Sequence, residues 1–294
     1  MKAAVVLMAY GSPERLADVP AYYSDIRGGR PISPELMADL VERYRRLGIE
    51  DGSPLNAITE ATRAALEREL GDVPVFTGMK HWTPRIVEAV DAAVASGAEM
   101  VVGLVLAPHY SSMSIAGYRQ QLEGALGGRA ELAFIESWHD EPGFIDLLAE
   151  RVRGTDAHVV FTAHSLPARI LESGDPYKDQ LLETSQLVAE RAALETWSFS
   201  FQSESQTGEP WLGPDILDHL RELHDGGTRM VLACPVGFVA DHLEIRWDLD
   251  HEAVEQAEAL GLGFRRIEMP NDDPAFVEVL AGLVRRVLAV PSEA

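Results

Sequence analysis

A histidine and a row of carboxylates occur in this sequence where they could bind a metal ion. His164 directly follows the apolar run VVFTA and begins a turn. Glu244, Asp248 and Glu252 are spaced four residues apart, which places them on one face of a helix. Like charges on one face destabilise a helix unless a cation or solvent relieves them. The alternatives without a metal are that His164 is a turn histidine hydrogen-bonded to the backbone, and that the three carboxylates form a solvated helix face.

One imidazole and one carboxylate with open coordination positions suit a divalent metal that is passed on rather than kept. A structural zinc site needs four ligands that close around the ion, and the sequence offers no such set. Beside a cleft, Asp248 and Glu252 could conduct a cation from solvent to His164 and Glu244. We therefore predict a transient metal site formed by these four residues.

Two patches rich in arginine and tyrosine point to an anionic, partly aromatic ligand. Arginine binds carboxylates through paired hydrogen bonds, and aromatic faces stack on flat rings. The alternative is basic residues placed near helix C-termini. The patches contain Tyr22, Tyr23, Arg27 and Arg30, and then Arg43, Tyr44, Arg45 and Arg46.

Composition excludes several other classes of function. The chain has 294 residues and a formal net charge of −22, which repels phosphate backbones, so we expect no nucleic-acid partner. Cys234 is the single cysteine, so an internal disulfide and an all-cysteine iron–sulfur or zinc site within one chain are excluded. No Gly-x-Gly-x-x-Gly follows a predicted strand and no Walker loop is present, so we expect no nucleotide cofactor.

The apolar runs are too short to cross a bilayer, and the N-terminal run lacks the cleavage region of a signal peptide. We expect a cytoplasmic monomer without stable membrane insertion, and one cysteine fits a reducing compartment.

Short apolar runs, each followed by a turn and a helical pattern, predict an α/β protein. Fully apolar, β-branched runs between helices are typical of parallel strands covered on both faces. Residues 83–90 predict a helix with Thr83 as N-cap and Pro84 at its first position, and a last helix is predicted from about Asp273 to Ala289. The predicted strands are 3–9, 73–77, 100–107, 132–135, 158–163, 197–202, 229–234 and 263–269.

The two halves of the chain look alike. The string VVLMAYGSP at 5–13 aligns with VVFTAHSLP at 159–167, and VLAP at 105–108 aligns with LACP at 232–235. We therefore predict two similar domains, 1–150 and 151–294, each with a four-stranded parallel sheet flanked by helices, the last helix packing back on the first domain.

Ligands of open α/β sheets bind at the carboxyl ends of the strands. Tyr10 and His164 directly follow their strands, so both are predicted to face a cleft between the domains. The loops after Pro108 and Pro235 are predicted to face it too.

The chain resembles the ferrochelatases along almost its whole length. Many short segments match in the right order: MAYGSP (8–13), YYSDIRGGR (22–30), GSPL (52–55), GMKHW (78–82), AHSLP (163–167), GDPY (174–177), QS (202–203), WLGP (211–214) and PVGF through DHLE (235–244). The resemblance implies the chelatase fold, two Rossmann-like domains around a porphyrin cleft. Residues 106–111 (LAPHYS) are similar to the bacterial branch that uses coproporphyrin III.

The resemblance implies an enzyme that inserts ferrous iron, its substrate, into coproporphyrin III to give coproheme. His164 and Glu244 would form the iron site, and Tyr10 would face the metal from the opposite side and ligate the product iron. The macrocycle would be held by Arg27, Arg43, Tyr44, Ser53 and Tyr118, and the single cysteine leaves no four-cysteine [2Fe–2S] cluster.

Metallation removes two pyrrole protons, and a neutral His164 with an ordinary pKa of about 6.5 would accept one at neutral pH. Three other functions remain open from the sequence. They are iron insertion into protoporphyrin IX, cobalt or nickel insertion into a related tetrapyrrole, and a haem or metal carrier without catalysis.

Overall fold

The computed structural model describes residues 2–50, 52–205 and 208–289, so residues 1 and 51 of the predicted first domain and residues 206, 207 and 290–294 of the second lie outside it. Within these residues the strands are β1 (Ala3–Ala9), β2 (Val75–Met79), β3 (Met100–Val105), β4 (Glu131–Ile135), β5 (His158–His164), β6 (Trp197–Gln202), β7 (Met230–Cys234) and β8 (Gly263–Arg266). The α-helices are α1 (Val19–Ile26), α2 (Pro34–Arg46), α3 (Leu55–Leu70), α4 (Ile86–Ala95), α5 (Ile115–Leu126), α6 (Pro142–Val152), α7 (Tyr177–Ala192), α8 (Ile216–Asp225), α9 (Val254–Leu260) and α10 (Pro274–Ala289).

The strands form two four-stranded, entirely parallel sheets. Their orders are β2-β1-β3-β4 and β6-β5-β7-β8, so the two halves repeat one topology. In the first sheet Val5 is paired with both Val75 and Val102, and in the second Val159 is paired with Trp197 and Leu232. The predicted fold class is confirmed.

The apolar runs became central strands because both faces of each sheet are covered. All residues of β3 are buried, as are all but the first of β1. β2 starts and ends later than the predicted range 73–77 and includes Gly78. A Cβ on Gly78 would lie 3.0 Å from Cα of Ile86, so the glycine permits close packing here where the sequence pattern suggests a break. β3 and β8 end earlier than predicted.

The predicted start of the helix after β2 was wrong. α4 begins at Ile86 with Arg85 as its N-cap. Residues Thr83 and Pro84 instead fold back on the strand end, where the N–H of Met79 donates to the carbonyl of Pro84 at 2.7 Å.

One apolar core joins the two halves around Trp138. Its ring lies 5.1 Å from Phe144 of α6 and 6.0 Å from Phe276 of α10, between ring centroids. α10 follows the second sheet in sequence but packs on α3 and α6 of the first half, and Arg285 pairs with Glu69 at 2.8 Å. The domain boundary at 150/151 stays a prediction.

The acidic segment forms a π-helix, Ile245–Ala253, continuous with α9. π-Helices are rare and occur frequently at functional sites. Across the described ranges, 2–50, 52–205 and 208–289, no helix is long and apolar enough to cross a membrane.

Candidate active site

Two strand ends and the π-helix supply the central side chains of the site. His164 is the last residue of β5, Tyr10 directly follows β1, and Glu244 stands at the N-terminal boundary of the π-helix. Burial and then the negative charge of Glu244 raise the pKa of Tyr10, so the tyrosine lies within electrostatic reach of this carboxylate. We call the region between Tyr10 on the first half and His164 with Glu244 on the second half the cleft.

His164 and Glu244 face each other with 3.6 Å between Nε2 and Oε1. The other ring nitrogen of His164, Nδ1, donates to the carbonyl of Ser165, which fixes the ring and directs Nε2 toward the carboxylate. Both side chains remain open to the cleft, with 30% and 41% of their surface exposed. The pair is therefore oriented by the protein yet reachable from outside.

The structure changes the expected protonation of His164. Burial alone lowers the pKa of His164, but the adjacent Glu244 outweighs this and raises it to about 9. Burial favours the protonated form of Glu244, yet the facing His164 holds the pKa of this carboxyl well below its usual range. At neutral pH this pairing favours an imidazolium and a carboxylate, in contrast to the neutral His164 expected from its ordinary pKa.

His242 is a third member of this group, and sequence reasoning gave it no role. Its Nε2 lies 3.5 Å from Oε2 of Glu244, while its Nδ1 donates to the carbonyl of Ala240 at 2.8 Å. Glu244 therefore has an imidazole beside each carboxylate oxygen. The histidine stands inside the acidic segment, so its proximity to Glu244 in sequence was the available signal.

Asp248 is not on a solvated face. It is 7% exposed, accepts a hydrogen bond from Gln202 Nε2 at 3.2 Å, and accepts another from the hydroxyl of Ser203. Burial and then the charge of Glu244 raise the pKa of Asp248 to about 7. Glu252 adds to this effect from a partly exposed position. Of the carboxylates on this helix, Glu252 is thus partly exposed and Asp248 is buried.

The four predicted metal ligands do not form one closed cluster. Across residues 2–50, 52–205 and 208–289, no group of three or more His, Cys, Asp or Glu side chains is arranged to hold a metal ion. His164 and Glu244 are adjacent, whereas Asp248 is hydrogen-bonded to β6 and its following residue.

Tyr10 lies on the first half with 41% of its surface exposed, and its ring is 4.6 Å from that of His81. Nδ1 of His81 lies 2.9 Å from Asp25, and Arg85 holds Asp25 through two contacts of 2.9 and 3.1 Å. Burial raises the pKa of Tyr10, and Glu244 adds to this, so its hydroxyl stays protonated at neutral pH. Sequence reasoning did not assign His81, Asp25 or Arg85 to the site.

Tyr44 and Arg43, at the end of α2, reach the second half. Tyr44 is buried in a small cluster with Leu243, and burial raises its pKa to about 12. The guanidinium of Arg43 lies over Trp247 of the π-helix, 5.1 Å from the ring centroid, and its Nε pairs with Asp39 at 3.1 Å.

Arg27, Ser53 and Tyr118 occupy three different settings. Nε of Arg27, at the end of α1, is buried and has no hydrogen-bond partner among the described residues. Ser53 is 9% exposed and follows Gly52, where a Cβ would lie 2.4 Å from the carbonyl of Pro13. Tyr118 is 5% exposed, and Lys80 Nζ covers its ring at 4.7 Å. The roles of these residues remain predictions.

The loop after Pro108 does not face the cleft as expected. His109 and Ser111 are 3% and 0% exposed and are buried against the second half. Nε2 of His109 lies 2.9 Å from the hydroxyl of Thr184 on α7, and Ser111 donates to Asp175 at 3.1 Å. This loop is a joint between the halves.

The fold is that of the chelatases. Among solved structures the chain is similar to SirB from Bacillus subtilis with Fe³⁺, with a TM-score of 0.63 and 12% identity over 98% of this chain and 96% of that one. It is also similar to CbiX, described as the terminal enzyme for biosynthesis of siroheme in denitrifying bacteria. There the TM-score is 0.57 and the identity 16%, over 98% of this chain and 100% of the other. At such identities the likeness shows the fold alone.

Comparison of the sequence, in contrast, assigns the chain to one protein family. The ferrochelatase family model matches residues 2–288, and the chain belongs to the ferrochelatase family, whose enzymes act in haem biosynthesis. It is 44% identical over 301 residues to a ferrochelatase of Herpetosiphon aurantiacus, covering 96% of this chain and 98% of that protein. It is 40% identical over 306 residues to a coproporphyrin III ferrochelatase of Halalkalibacterium halodurans, covering 98% of each.

Proposed function

We propose that this chelatase is a lyase that inserts Fe²⁺ into coproporphyrin III to form coproheme, as a monomer in the cytoplasm. Two kinds of observation support the proposal. The His164–Glu244 pair supports metal capture, and the name of the Halalkalibacterium relative supports the choice of porphyrin.

The single observation that carries the reaction is the 3.6 Å separation of His164 Nε2 and Glu244 Oε1. Nitrogen and oxygen ligands bind first-row metals at about 2.0–2.2 Å, so two neighbouring ligands of one ion lie roughly 3–3.5 Å apart. The two atoms are close to that spacing. Fe²⁺ could therefore bind between them with little movement of either side chain, and the proton on Nε2 would be released to solvent.

Protons must then leave the porphyrin as iron enters. Because its pairing with Glu244 favours a protonated His164, the imidazole can accept a porphyrin proton only after releasing its own proton to a nearby base or to solvent. Asp248 has a pKa of about 7 and lies within the field of Glu244, so it is the carboxylate best matched to exchange a proton near neutral pH. Glu252 would bring the ion from solvent to Asp248 and Glu244. Tyr10 would bound the opposite face.

Arg27 supports a substrate that carries carboxylates. A buried guanidinium N–H without a partner is costly unless a ligand supplies an acceptor, and a propionate would do so. Arg43 adds a second positive charge, and its partner Asp39 is exposed enough to be exchanged for a propionate. Coproporphyrin III carries four carboxylates, and protoporphyrin IX carries two. Protoporphyrin IX is the second candidate, because the names of some relatives, given only as ferrochelatase, do not specify the porphyrin.

The test is anaerobic metallation by the purified protein with Fe²⁺ and either porphyrin in separate cuvettes, followed by loss of free-base fluorescence. We expect fast loss with coproporphyrin III and slow loss with protoporphyrin IX. The reverse preference would overturn the substrate and keep the reaction. Tight porphyrin binding without insertion of Fe²⁺, Co²⁺ or Ni²⁺ would leave a carrier and overturn both.

A further inference from the structure

Asp175 is a buried carboxylate held entirely by hydroxyl and amide donors from both halves. It is 8% exposed. Its Oδ2 accepts from the Ser111 hydroxyl at 3.1 Å, the Ser112 amide at 2.7 Å and the Ser112 hydroxyl at 2.6 Å. Its Oδ1 accepts from the amide of Tyr177 at 3.1 Å, at the start of α7. The residue therefore ties the loop after β3 to the first turn of α7.

Tyr177 continues this connection to the site. Its hydroxyl donates to the main-chain carbonyl of His164 at 3.0 Å, and its ring is 7% exposed. The same peptide is held on its other side as well, because the amide of Ser165 donates to the carbonyl of Gln202 at 2.7 Å, and the Ser165 hydroxyl donates to the carbonyl of Leu212 at 2.7 Å. The direction of the imidazole is thus set by a peptide bonded on several sides.

The loop after β3 makes further polar contacts with α7. The side-chain oxygen of Gln180 accepts from the amide of Tyr110 at 2.7 Å and from the hydroxyl of Ser137 at 3.0 Å. These contacts fix the loop on the helix, whereas the hydrogen bonds through Asp175 and Tyr177 lead on to the main chain of His164. Two segments noted in the sequence, 106–111 and 174–177, therefore meet away from the cleft.

We propose that Tyr177 is a positioning residue for His164, and that Asp175 anchors it to Ser111 and Ser112 of the first half. The proposal rests on the proposed role of His164 in iron insertion. Through these hydrogen bonds the first half, to which Tyr10 belongs, fixes the position of the His164 imidazole on the second half. Burial raises the pKa of the Tyr177 hydroxyl, which keeps it a donor throughout the working range of pH.

Tyr177→Phe tests the proposal with little risk to folding, because it removes one hydroxyl and keeps the ring. The matched control is Ser185→Ala on the same helix, which also removes a hydroxyl that donates to a main-chain carbonyl, that of Leu181 at 2.8 Å. We expect Tyr177→Phe to lower kcat for iron insertion about two- to ten-fold, with KM for the porphyrin unchanged. Ser185→Ala should leave kcat unchanged at a similar loss in Tm.

Ser112→Ala extends the test to the first half, since it removes one donor to Asp175 without touching His164. We expect it to lower kcat less than Tyr177→Phe does, and the double variant to lose less than the product of the two effects. Independent, multiplicative effects would overturn the anchor. Equal kcat in Tyr177→Phe and Ser185→Ala would overturn the positioning role.

A readout on the imidazole separates this proposal from the proposed function. With ¹⁵N-labelled histidine, His164→Ala identifies the His164 ring signals in the NMR spectrum. Tyr177→Phe should shift these signals and Ser185→Ala should not, whether or not the protein inserts iron. Absence of iron insertion by the wild type would overturn the proposed function alone, whereas unmoved ring signals in Tyr177→Phe would overturn the positioning role alone.

Discussion

Arg43 of α2 lies over Trp247 of the π-helix, with its guanidinium carbon 5.1 Å from the ring centroid. Such a cation–π contact contributes about 0.5–2 kcal/mol, depending on how far it is desolvated. Nε of Arg43 also pairs with Asp39 at 3.1 Å on the same helix. An arginine expected to hold the porphyrin thus contacts the helix that carries Asp248 and Glu252.

This contact predicts that Arg43 affects iron as well as porphyrin. We expect Arg43→Met to raise KM for Fe²⁺ about three-fold, because the π-helix loses a contact worth about 0.5–1 kcal/mol. Arg43→Lys should restore it only in part, since an ammonium can make a cation–π contact but lacks the planar face that stacks on Trp247. Steady-state kinetics with varied iron measures this. Full recovery in the lysine variant would mean that charge alone matters.

The sequence was sufficient for the sheets because their central strands are buried on both faces. The central strand β1 coincides with its predicted bounds, as does the edge strand β6, and the repeat of the halves predicted two similar four-stranded parallel sheets. The π-helix could not be predicted, since the four-residue spacing of Glu244, Asp248 and Glu252 suits an α-helix as well as a π-helix. The burial of Asp248 depends on Gln202 and Ser203, which only the folded chain brings beside it.

Removing the imidazole should separate metal insertion from porphyrin binding. We expect His164→Ala to abolish metallation and to leave the Kd for coproporphyrin III within a few-fold, because Tyr10, Tyr44 and the arginines are untouched. Fluorescence quenching gives the Kd, and loss of free-base fluorescence with Fe²⁺ gives turnover. Retained turnover would remove His164 from the mechanism.

The raised pKa of His164 fixes the sign of a pH effect. Its folded pKa of about 9 lies above the usual value of about 6.5, so the stabilisation from its pairing with Glu244 is fully present below about pH 6.5 and is lost as pH rises through 9. Fe²⁺ must displace this proton, so KM for iron should fall by up to about ten-fold per pH unit from pH 6 to 8. Anaerobic kinetics across this range measures it. A KM that is flat, or that rises with pH, would contradict a protonated resting His164.

Arg27 should discriminate between the two porphyrins. Its buried Nε has no partner in the described part of the chain, and a propionate would supply one. We expect Arg27→Met to raise KM for coproporphyrin III about ten-fold, the scale of one charge-assisted hydrogen bond, and to raise that for protoporphyrin IX less. Parallel titrations of both porphyrins measure the ratio. An equal loss for both would place Arg27 away from the carboxylates that distinguish them.

Substitutions of Glu252 and of Asp248 should change different kinetic constants, because the first carboxylate is partly exposed and the second is buried. Glu252 is partly exposed, so Glu252→Ala should mainly raise KM for Fe²⁺ by slowing delivery from solvent. Asp248 is buried with a pKa of about 7, so Asp248→Asn should mainly lower kcat by removing a group that exchanges protons near neutral pH. Asn keeps the size and part of the hydrogen bonding to Gln202 and Ser203, which limits the structural cost. Steady-state kinetics with iron varied at saturating porphyrin separates KM from kcat. An unchanged KM for iron in Glu252→Ala would show that Glu252 is only a solvated surface charge. A changed KM for iron in Asp248→Asn, with kcat unchanged, would show that the buried carboxylate is a ligand for the incoming ion.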